Sequence, residues 1–329
     1  MAEALLIDRR RLGTGWAEFW TLNAPATRNA LTGEMVTALR AACERARADT
    51  PLRAIVLRGA GGHFCAGGSL GDFASAIGRP FDGNPADDPL VAVNRSYGAL
   101  LQQLCALPQF VIAAVQGAAM GGGVGLMCCA DFVLAAPDAV FATPEVTLGI
   151  VPAQIAPFVV RRLGDAKARD WLLSGARWTA PQALAAGLVN AVAGGLAPSS
   201  PWGEGRGEGP AASTEVPSHP HPNPLPRAGE GAKTASESGA GAASHGVDEA
   251  LNTAVLHKLQ QLLPVAPAAM AQTKHLLFDM ATAQPLDAVL DAAALRFAQG
   301  LRGPEAPLGL KAFAQRQLPP WAATTESTA

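Results

Sequence analysis

The chain has 329 residues, of which 49% are hydrophobic, and its formal net charge at pH 7 is −2. That length suits two average domains or one large domain, and the composition is enough for a sizeable core. A charge so close to zero gives no reason to expect nucleic acid or an anionic membrane as a partner.

The sequence also bears on where the protein is located and on whether it binds a metal. No apolar run reaches the roughly 18 residues of a membrane span without a charge or a glycine, and residues 1–11 do not resemble a signal peptide. The five cysteines lack metal-type spacing, and His219 and His221 make only two ligands. We therefore expect a cytoplasmic protein with reduced thiols and no metal site.

The chain opens with patterns typical of a strand pair, at residues 4–8 and 16–22, joined by a glycine turn. Thr32 can cap a helix that runs to about residue 48. A strand at 53–57 then leads into the first glycine-rich turn, at 59–70. Cys65 lies in this turn, but the absence of a well-placed histidine beyond its neighbour argues against a nucleophile.

A short helix is predicted at 69–77, a loop at 78–89 and a helix at 91–107. Arg95 on that helix could clamp a carboxylate, or form a surface salt bridge. A strand at 110–115 then enters the second glycine turn, at 121–123, before a buried helix. Glycines let the backbone approach a ligand closely, so two such turns could each offer one N–H group to the same oxyanion. Tight packing is the ordinary alternative.

Glu145 is the only acid in a mostly apolar segment after two short strands, at 132–135 and 140–142. A carboxylate among apolar neighbours tends to have a raised pKa, which suits proton transfer near neutral pH. A solvated side chain is the structural alternative. Helices are predicted to residue 162 and at 166–174, with Gln154 near the start of the first.

Residues 196–246 are rich in Pro, Gly, Ser and Ala and lack apolar periodicity. Such a segment cannot bury enough apolar surface to offset its ordering entropy, so we predict a disordered insertion between an ordered core at 1–195 and a helical region at 247–329. Helices are predicted at 248–263, 266–282, 285–301 and 304–315. Their apolar faces suit packing on a domain or on a partner subunit.

Six stretches follow one another in a specific order and spacing: residues 29–31, 64–68, 117–123, 129–131, 141–149 and 187–189. Together they resemble the crotonase, or enoyl-CoA hydratase/isomerase, superfamily. The resemblance implies an α/β spiral of repeated ββα units, followed by an α-helical region that forms homotrimers or homohexamers. It also implies an acyl-CoA substrate and no cofactor beyond the CoA of that substrate.

By position, the resemblance implies that the N–H groups of Gly68 and Gly122 form an oxyanion hole and that Glu145 is catalytic. Arg28, Ala66 and Gly67 fall where CoA would bind, although Arg28 could equally be a solvated loop residue. Lys274 and Lys311 are weaker candidates for phosphate contacts.

One departure from the family pattern is Gly125, which occupies the position of the second catalytic glutamate of the hydratases. This feature and residues 153–164 resemble the isohexenylglutaconyl-CoA and methylglutaconyl-CoA hydratases. The expected reaction is therefore hydration of a branched 2-enoyl-CoA. Because one glutamate also suffices for double-bond isomerisation, an isomerase remains open, as do thioester hydrolysis, decarboxylation and a non-catalytic acyl-CoA-binding subunit.

Overall fold

The computed structural model describes residues 3–69, 71, 77, 79–195, 240–280 and 285–323. Strands alternate with helices up to residue 195, and the chain is mainly helical from residue 240 onward. The strands are β1 Leu5–Leu12, β2 Gly15–Leu22, β3 Leu52–Gly59, β4 Phe110–Val115, β5 Ala118–Met120, β6 Phe132–Ala135, β7 Val140–Ala142, β8 Arg177–Thr179 and β9 Ala191–Val192. The helices are α1 Gly33–Ala48, α2 Pro89–Cys105, α3 Gly122–Cys128, α4 Ala156–Leu163, α5 Asp165–Ser174, α6 Ala180–Ala186, α7 Ala240–Gln261, α8 Pro267–Met280, α9 Leu286–Arg302 and α10 Glu305–Ala314.

A six-stranded sheet, in the order β1-β2-β3-β4-β6-β9, forms the centre of the α/β part. Strands β1 and β2 pair antiparallel, which confirms the predicted hairpin, and the later pairings in this sheet are parallel. Since adjacent parallel strands end at the same edge of a sheet, the segments that follow β3 and β4 start side by side. Those two segments lead to the two glycine-rich turns.

A smaller sheet, in the order β5-β7-β8, brings the second glycine turn next to the Glu145 segment. Strand β5 ends directly before Gly121, and its parallel neighbour β7 ends shortly before Glu145. The Gly121 N–H group donates to the Ala142 carbonyl at 2.9 Å, which extends this pairing by one residue. The short strands β5 and β8 were not predicted from the sequence.

Two hydrophobic clusters lie on opposite faces of the large sheet, because successive side chains of a strand alternate between faces. Ile55 and Leu57 of β3 pack in the cluster that includes helices α1, α2 and α3. Ala54 and Val56 pack in the cluster that α7 covers. The sheet is therefore enclosed by helices, as expected for parallel strands with near-continuous apolar sequences.

Buried Arg53 attaches the helical region to the start of the chain. Its guanidinium donates to the carbonyls of Leu262 and Val265, both at 2.8 Å, and to that of Trp321 at 2.9 Å. Burial lowers the pKa of Arg53. The first two contacts satisfy carbonyls just beyond α7 that have no partner within a helix.

Most of the predicted helices are confirmed within a few residues. Thr32 caps α1 by accepting a hydrogen bond from the Met35 N–H group at 3.2 Å. The helical C-terminal region is also confirmed, whereas its role in assembly stays a prediction. The helix predicted at 69–77 lies mostly outside the described residues. So does the predicted insertion at 196–246, of which residues 196–239 are not described while α7 begins at Ala240.

Candidate active site

The two glycine turns meet behind a single cavity. A Cβ atom built on Gly67 would lie 2.8 Å from the Met120 carbonyl oxygen and 3.5 Å from the Gly122 nitrogen. A Cβ atom on Gly122 would lie 3.6 Å from the Gly68 nitrogen. Gly67 has a φ angle of +93°, which an L side chain rarely adopts, so glycine is required here for both conformation and space.

Hydrogen bonds between the turns fix this approach. The Cys65 N–H group donates to the Ala118 carbonyl at 3.0 Å, and the Met120 N–H group donates to the Cys65 carbonyl at 2.9 Å. Within the described part of the chain, neither the Gly68 nor the Gly122 N–H group has an acceptor. Gly122 is the first residue of α3, where an N–H group has no partner inside the helix. Two free amide donors therefore adjoin the same cavity.

Asn29 is a further organising residue, for which no specific role was predicted. Its side chain is buried, and its Nδ2 group donates to the carbonyls of Ala60 and His63 at 2.9 and 2.8 Å. Its Oδ1 atom accepts a hydrogen bond from the Ala24 N–H group at 2.9 Å. Asn29 thus ties the loop before α1 to the first glycine turn.

The Glu145 carboxylate lies against the second glycine turn. It belongs to a short 3-10 helix at Pro144–Leu148, and a Cβ atom on Gly121 would lie 2.8 Å from its Oε1 atom. Its Oε2 atom is buried and has no hydrogen-bond partner among the residues that the structure describes. Burial raises the pKa of Glu145, although a hydrogen bond from its own backbone N–H group opposes the rise. This environment suits a group that gives and takes protons.

The position of the absent second glutamate is filled by other side chains. A Cβ atom on Gly125 would lie 2.6 Å from Ile155 Cγ2 and 2.8 Å from the Tyr97 hydroxyl oxygen. The Tyr97 hydroxyl donates to the Gly122 carbonyl oxygen. Sequence reasoning identified the gap at Gly125 but not these two neighbours, since both reach it from distant segments.

The cavity has a volume of about 410 Å³. Glu145 is the only acidic residue among the described residues that line it, and these include no lysine or arginine. Its apolar wall comes from Val93, Leu148 and Val151. On the polar side, the Gln154 side-chain amide donates to Asn94 Oδ1 at 2.9 Å. The described lining is Leu31, Thr32, Gly33, Val36, Thr37, Ala66, Gly67, Gly68, Val93, Asn94, Ser96, Tyr97, Gly121, Gly122, Pro144, Glu145, Leu148, Ile150, Val151, Pro152, Ala153, Gln154 and Ile155.

The predicted CoA-binding residues lie at or next to this cavity. Ala66 and Gly67 line it, and the Ala66 N–H group donates to the Arg28 carbonyl at 2.9 Å. The Arg28 side chain itself is exposed to solvent. Cys65 is buried, and burial raises the pKa of its thiol to about 12, which supports the prediction that it is not a nucleophile.

Three other charged residues of the sequence analysis lie elsewhere. Lys274 donates to Asp131 Oδ2 and to the Gln109 carbonyl, both at 2.5 Å, and its side chain is only 9% exposed. It is thus held in an ion pair within this chain, so the alternative of a solvated helix lysine is wrong, while the phosphate contact stays a prediction. Arg95 is exposed and donates to Gln102, outside the cavity lining. Lys311 is also exposed, on α10.

In the described segments, no three or more His, Cys, Asp or Glu side chains are grouped so that they could hold a metal ion. Within the same residues, no helix combines the length and the apolar character that crossing a bilayer requires. His219 and His221 lie outside the described residues.

Comparison with known proteins decides the family. The model of the enoyl-CoA hydratase/isomerase family matches residues 19–195, more than half of the chain. The chain belongs to this family. A solved enoyl-CoA hydratase/isomerase from Marinobacter aquaeolei shares 35% identity with a TM-score of 0.75, over 98% of this chain and 100% of that one. Pseudomonas aeruginosa AtuE shares 36% identity with a TM-score of 0.72, over 97% and 100% of the two chains.

Curated relatives match over a shorter stretch. A probable enoyl-CoA hydratase of Mycobacterium tuberculosis is 38% identical over 174 residues, which make up 53% of this chain and 64% of that protein. The chain thus spans somewhat less than two thirds of that relative. The structural neighbours confirm the α/β crotonase fold that the sequence motifs predicted.

Proposed function

We propose that this protein adds water to a branched 2-enoyl-CoA thioester, of the isohexenylglutaconyl-CoA or 3-methylglutaconyl-CoA type. The observation that carries the proposal is the meeting of two free N–H groups, from Gly68 and Gly122, with the Glu145 carboxylate at one cavity. Donors in this arrangement stabilise the negative charge that develops on a thioester oxygen. Family membership supports enoyl-CoA chemistry in general.

The mechanism needs only these three groups. The thioester oxygen accepts hydrogen bonds from both N–H groups, and loss of one such donor typically costs about 10²–10³ in rate. Glu145 takes a proton from water, whose oxygen bonds to Cβ while the electron pair of the double bond moves toward the carbonyl. Collapse of the resulting enolate draws the same proton from Glu145 to Cα. The product is a 3-hydroxyacyl-CoA, and the carboxylate is regenerated.

The raised pKa of Glu145 fits this double use, because burial disfavours the charged form and so strengthens the carboxylate as a base. Once protonated, the same buried group is a competent acid toward the enolate. One carboxylate can therefore carry the proton in both directions, which addresses the absence of a second glutamate at Gly125.

One apolar wall and one polar wall of the cavity support the proposed acyl specificity. Val93, Leu148 and Val151 would contact the branched hydrocarbon part of the acyl group. The paired amides of Asn94 and Gln154 retain N–H groups that could hold the distal carboxylate of a glutaconyl chain. A neutral amide clamp is the favoured arrangement, because the described lining contains no lysine or arginine.

The proposal extends to ligand binding and assembly. Arg28, Ala66 and Gly67 would contact CoA, which is part of the substrate, and no other cofactor takes part. The assembly would be a homotrimer or homohexamer. Phe297 and Phe313 in the helical region are 72% and 84% exposed in the single chain, so another copy of the chain would bury them.

Double-bond isomerisation is the second candidate, and Gly125 is the observation that favours it. A single base can carry a proton between Cα and Cγ, whereas hydration in this family's general pattern uses two acids. The family description covers both hydratases and isomerases.

A turnover assay with purified protein separates the candidates. Crotonyl-CoA, 3-methylglutaconyl-CoA and isohexenylglutaconyl-CoA would be followed by loss of enoyl-thioester absorbance and by product mass. Hydration predicts a gain of one water and a preference for the glutaconyl substrates. An unchanged mass with a shifted double bond would select the isomerase, free CoA or carbon dioxide would select hydrolysis or decarboxylation, and binding without turnover would indicate a non-catalytic subunit.

A further inference from the structure

Tyr97 lies on α2 and is the only tyrosine in the chain. Its hydroxyl donates to the carbonyl of Gly122, the same residue whose N–H group adjoins the cavity. Tyr97 also lines the cavity together with Gly68 and Glu145. One hydroxyl therefore holds the first turn of α3 where that turn meets the cavity.

The space for this hydroxyl exists because residue 125 has no side chain. A Cβ atom there would lie 2.8 Å from the Tyr97 oxygen, well inside ordinary van der Waals contact. A Cβ atom on Gly122 would lie 3.5 Å from the same oxygen. The glycine at 125 and the tyrosine at 97 thus form an interlocked pair, in which one residue makes room for the other.

Burial raises the pKa of Tyr97 well above its ordinary value, so the hydroxyl keeps its proton at neutral pH. A protonated phenol that donates to a carbonyl cannot at the same time act as the base that takes a proton from water. Its position suits an orienting role, because a hydrogen bond to the Gly122 carbonyl restrains the backbone of the residue that carries the N–H group.

We infer that Tyr97 is a positioning residue of the oxyanion hole, which occupies the space left by the side chain absent at Gly125 and restrains the Gly122 carbonyl, so that the N–H group of the same residue faces the thioester oxygen. This inference rests on the proposed function, since it assigns a supporting group to the same hole. It leaves Glu145 as the single group that transfers protons.

The first test is Tyr97→Phe, which removes only the hydroxyl. We expect kcat to fall about 10- to 100-fold, a part of the roughly 10²–10³ that deletion of an oxyanion donor costs, while KM stays within about threefold. Thr273→Val is the matched control, because it removes a hydroxyl that also donates to a helical carbonyl, that of Ala269 at 2.8 Å, away from the cavity. The control should keep the kcat of the parent protein.

A spectroscopic measurement separates positioning from simple stability. A 3-aryl-2-enoyl-CoA, whose conjugated carbonyl absorbs in the near ultraviolet, should show a red-shifted absorbance when two N–H groups polarise its carbonyl. The shift should be present in the parent protein and in Glu145→Gln, and should shrink in Tyr97→Phe. A merely structural role for the hydroxyl would lower the melting temperature and leave the shift of the folded variant unchanged.

The outcomes distinguish the two levels of the argument. No shift in the parent protein would overturn the proposed oxyanion hole and this inference with it. A full shift and full kcat in Tyr97→Phe would overturn this inference alone. If Tyr97→Phe does not fold, uniform labelling with 3-fluorotyrosine reports the same residue as a single fluorine resonance. That resonance should move when the aryl enoyl-CoA binds, and an unmoved resonance under saturation would refute the positioning role.

Discussion

Replacing Gly67 with alanine should push the two glycine turns apart. The new Cβ atom would lie 2.8 Å from the Met120 carbonyl oxygen, where ordinary contacts begin near 3.4 Å, so one turn must move by more than half an ångström. Catalytic groups must be held within about 0.5 Å of their productive geometry. A displacement of this size at the Gly68 N–H group should lower kcat about 10- to 100-fold.

The stability cost has a matched control in the same turn. Gly62 also has a positive φ, +76°, but a Cβ atom on it would meet nothing within 4 Å. Alanine at either position adopts an unfavourable backbone conformation at a cost of about 1–2 kcal/mol. That cost corresponds to a fall of a few degrees in melting temperature for a chain of this size. Only Gly67→Ala adds the clash between the turns.

Steady-state kinetics and thermal unfolding of both variants test this reasoning. We expect Gly62→Ala to keep its kcat within about twofold and Gly67→Ala to lose both activity and additional stability. Equal kcat values for the two variants would refute the claim that the close approach of the turns builds the catalytic site. The comparison is made at saturating substrate, so that a change in CoA affinity does not enter.

Three further predictions concern other parts of the molecule. Because the pKa of Glu145 is raised, kcat should increase with pH, with a midpoint above the ordinary value of 4.5. Glu145→Gln should abolish turnover and with it this pH dependence. If the variant kept the same rise of kcat with pH, a group other than Glu145 would be responsible for it. Gly125→Ala should destabilise the parent protein more than it destabilises Tyr97→Phe, because Tyr97→Phe lacks one of the two atoms that clash with the new Cβ. Thermal unfolding of the two single variants and the double variant would measure this difference. Purely additive effects would refute the interlocked pair. Lys274→Met should cost about 1–3 kcal/mol in chemical unfolding, because Asp131 loses its ion-pair partner and keeps only the Val111 N–H donor. The KM for acyl-CoA should not change, and a large rise in KM would support a phosphate contact by Lys274.

The sequence predicted well those strands, helices and turns whose structure depends mainly on their own residues. Residues 132–135 and 140–142 were predicted as strands from their apolar runs, and the structure has the same bounds. The Thr32 cap and α1 followed from one hydroxyl before a helical pattern. The two glycine turns were also predicted, because glycine runs directly after strand patterns are typical of tight turns and of close backbone approach. For these features the sequence contains the cause of the structure within a short window.

Contacts between distant segments were not predictable in this way. Tyr97 and Ile155 converge on Gly125 from opposite sides of it in the sequence, and nothing near either residue indicates that they meet. Lys274 was predicted to be either a phosphate contact or, as the better alternative, a solvated helix lysine, whereas it pairs with Asp131, which lies 143 residues earlier. The three-residue strand β5 was missed because its identity depends on pairing with β7 rather than on its own composition.

The most direct test of the proposed reaction uses 3-methylglutaconyl-CoA in heavy-oxygen water, with the parent protein and Glu145→Gln side by side. Product mass spectrometry would follow the label. Hydration assisted by Gly68, Gly122 and Glu145 predicts a product heavier by one labelled water in the parent protein, formed at a rate reduced by several orders of magnitude in the variant. A product of unchanged mass, or labelled product formed equally fast by Glu145→Gln, would contradict the account.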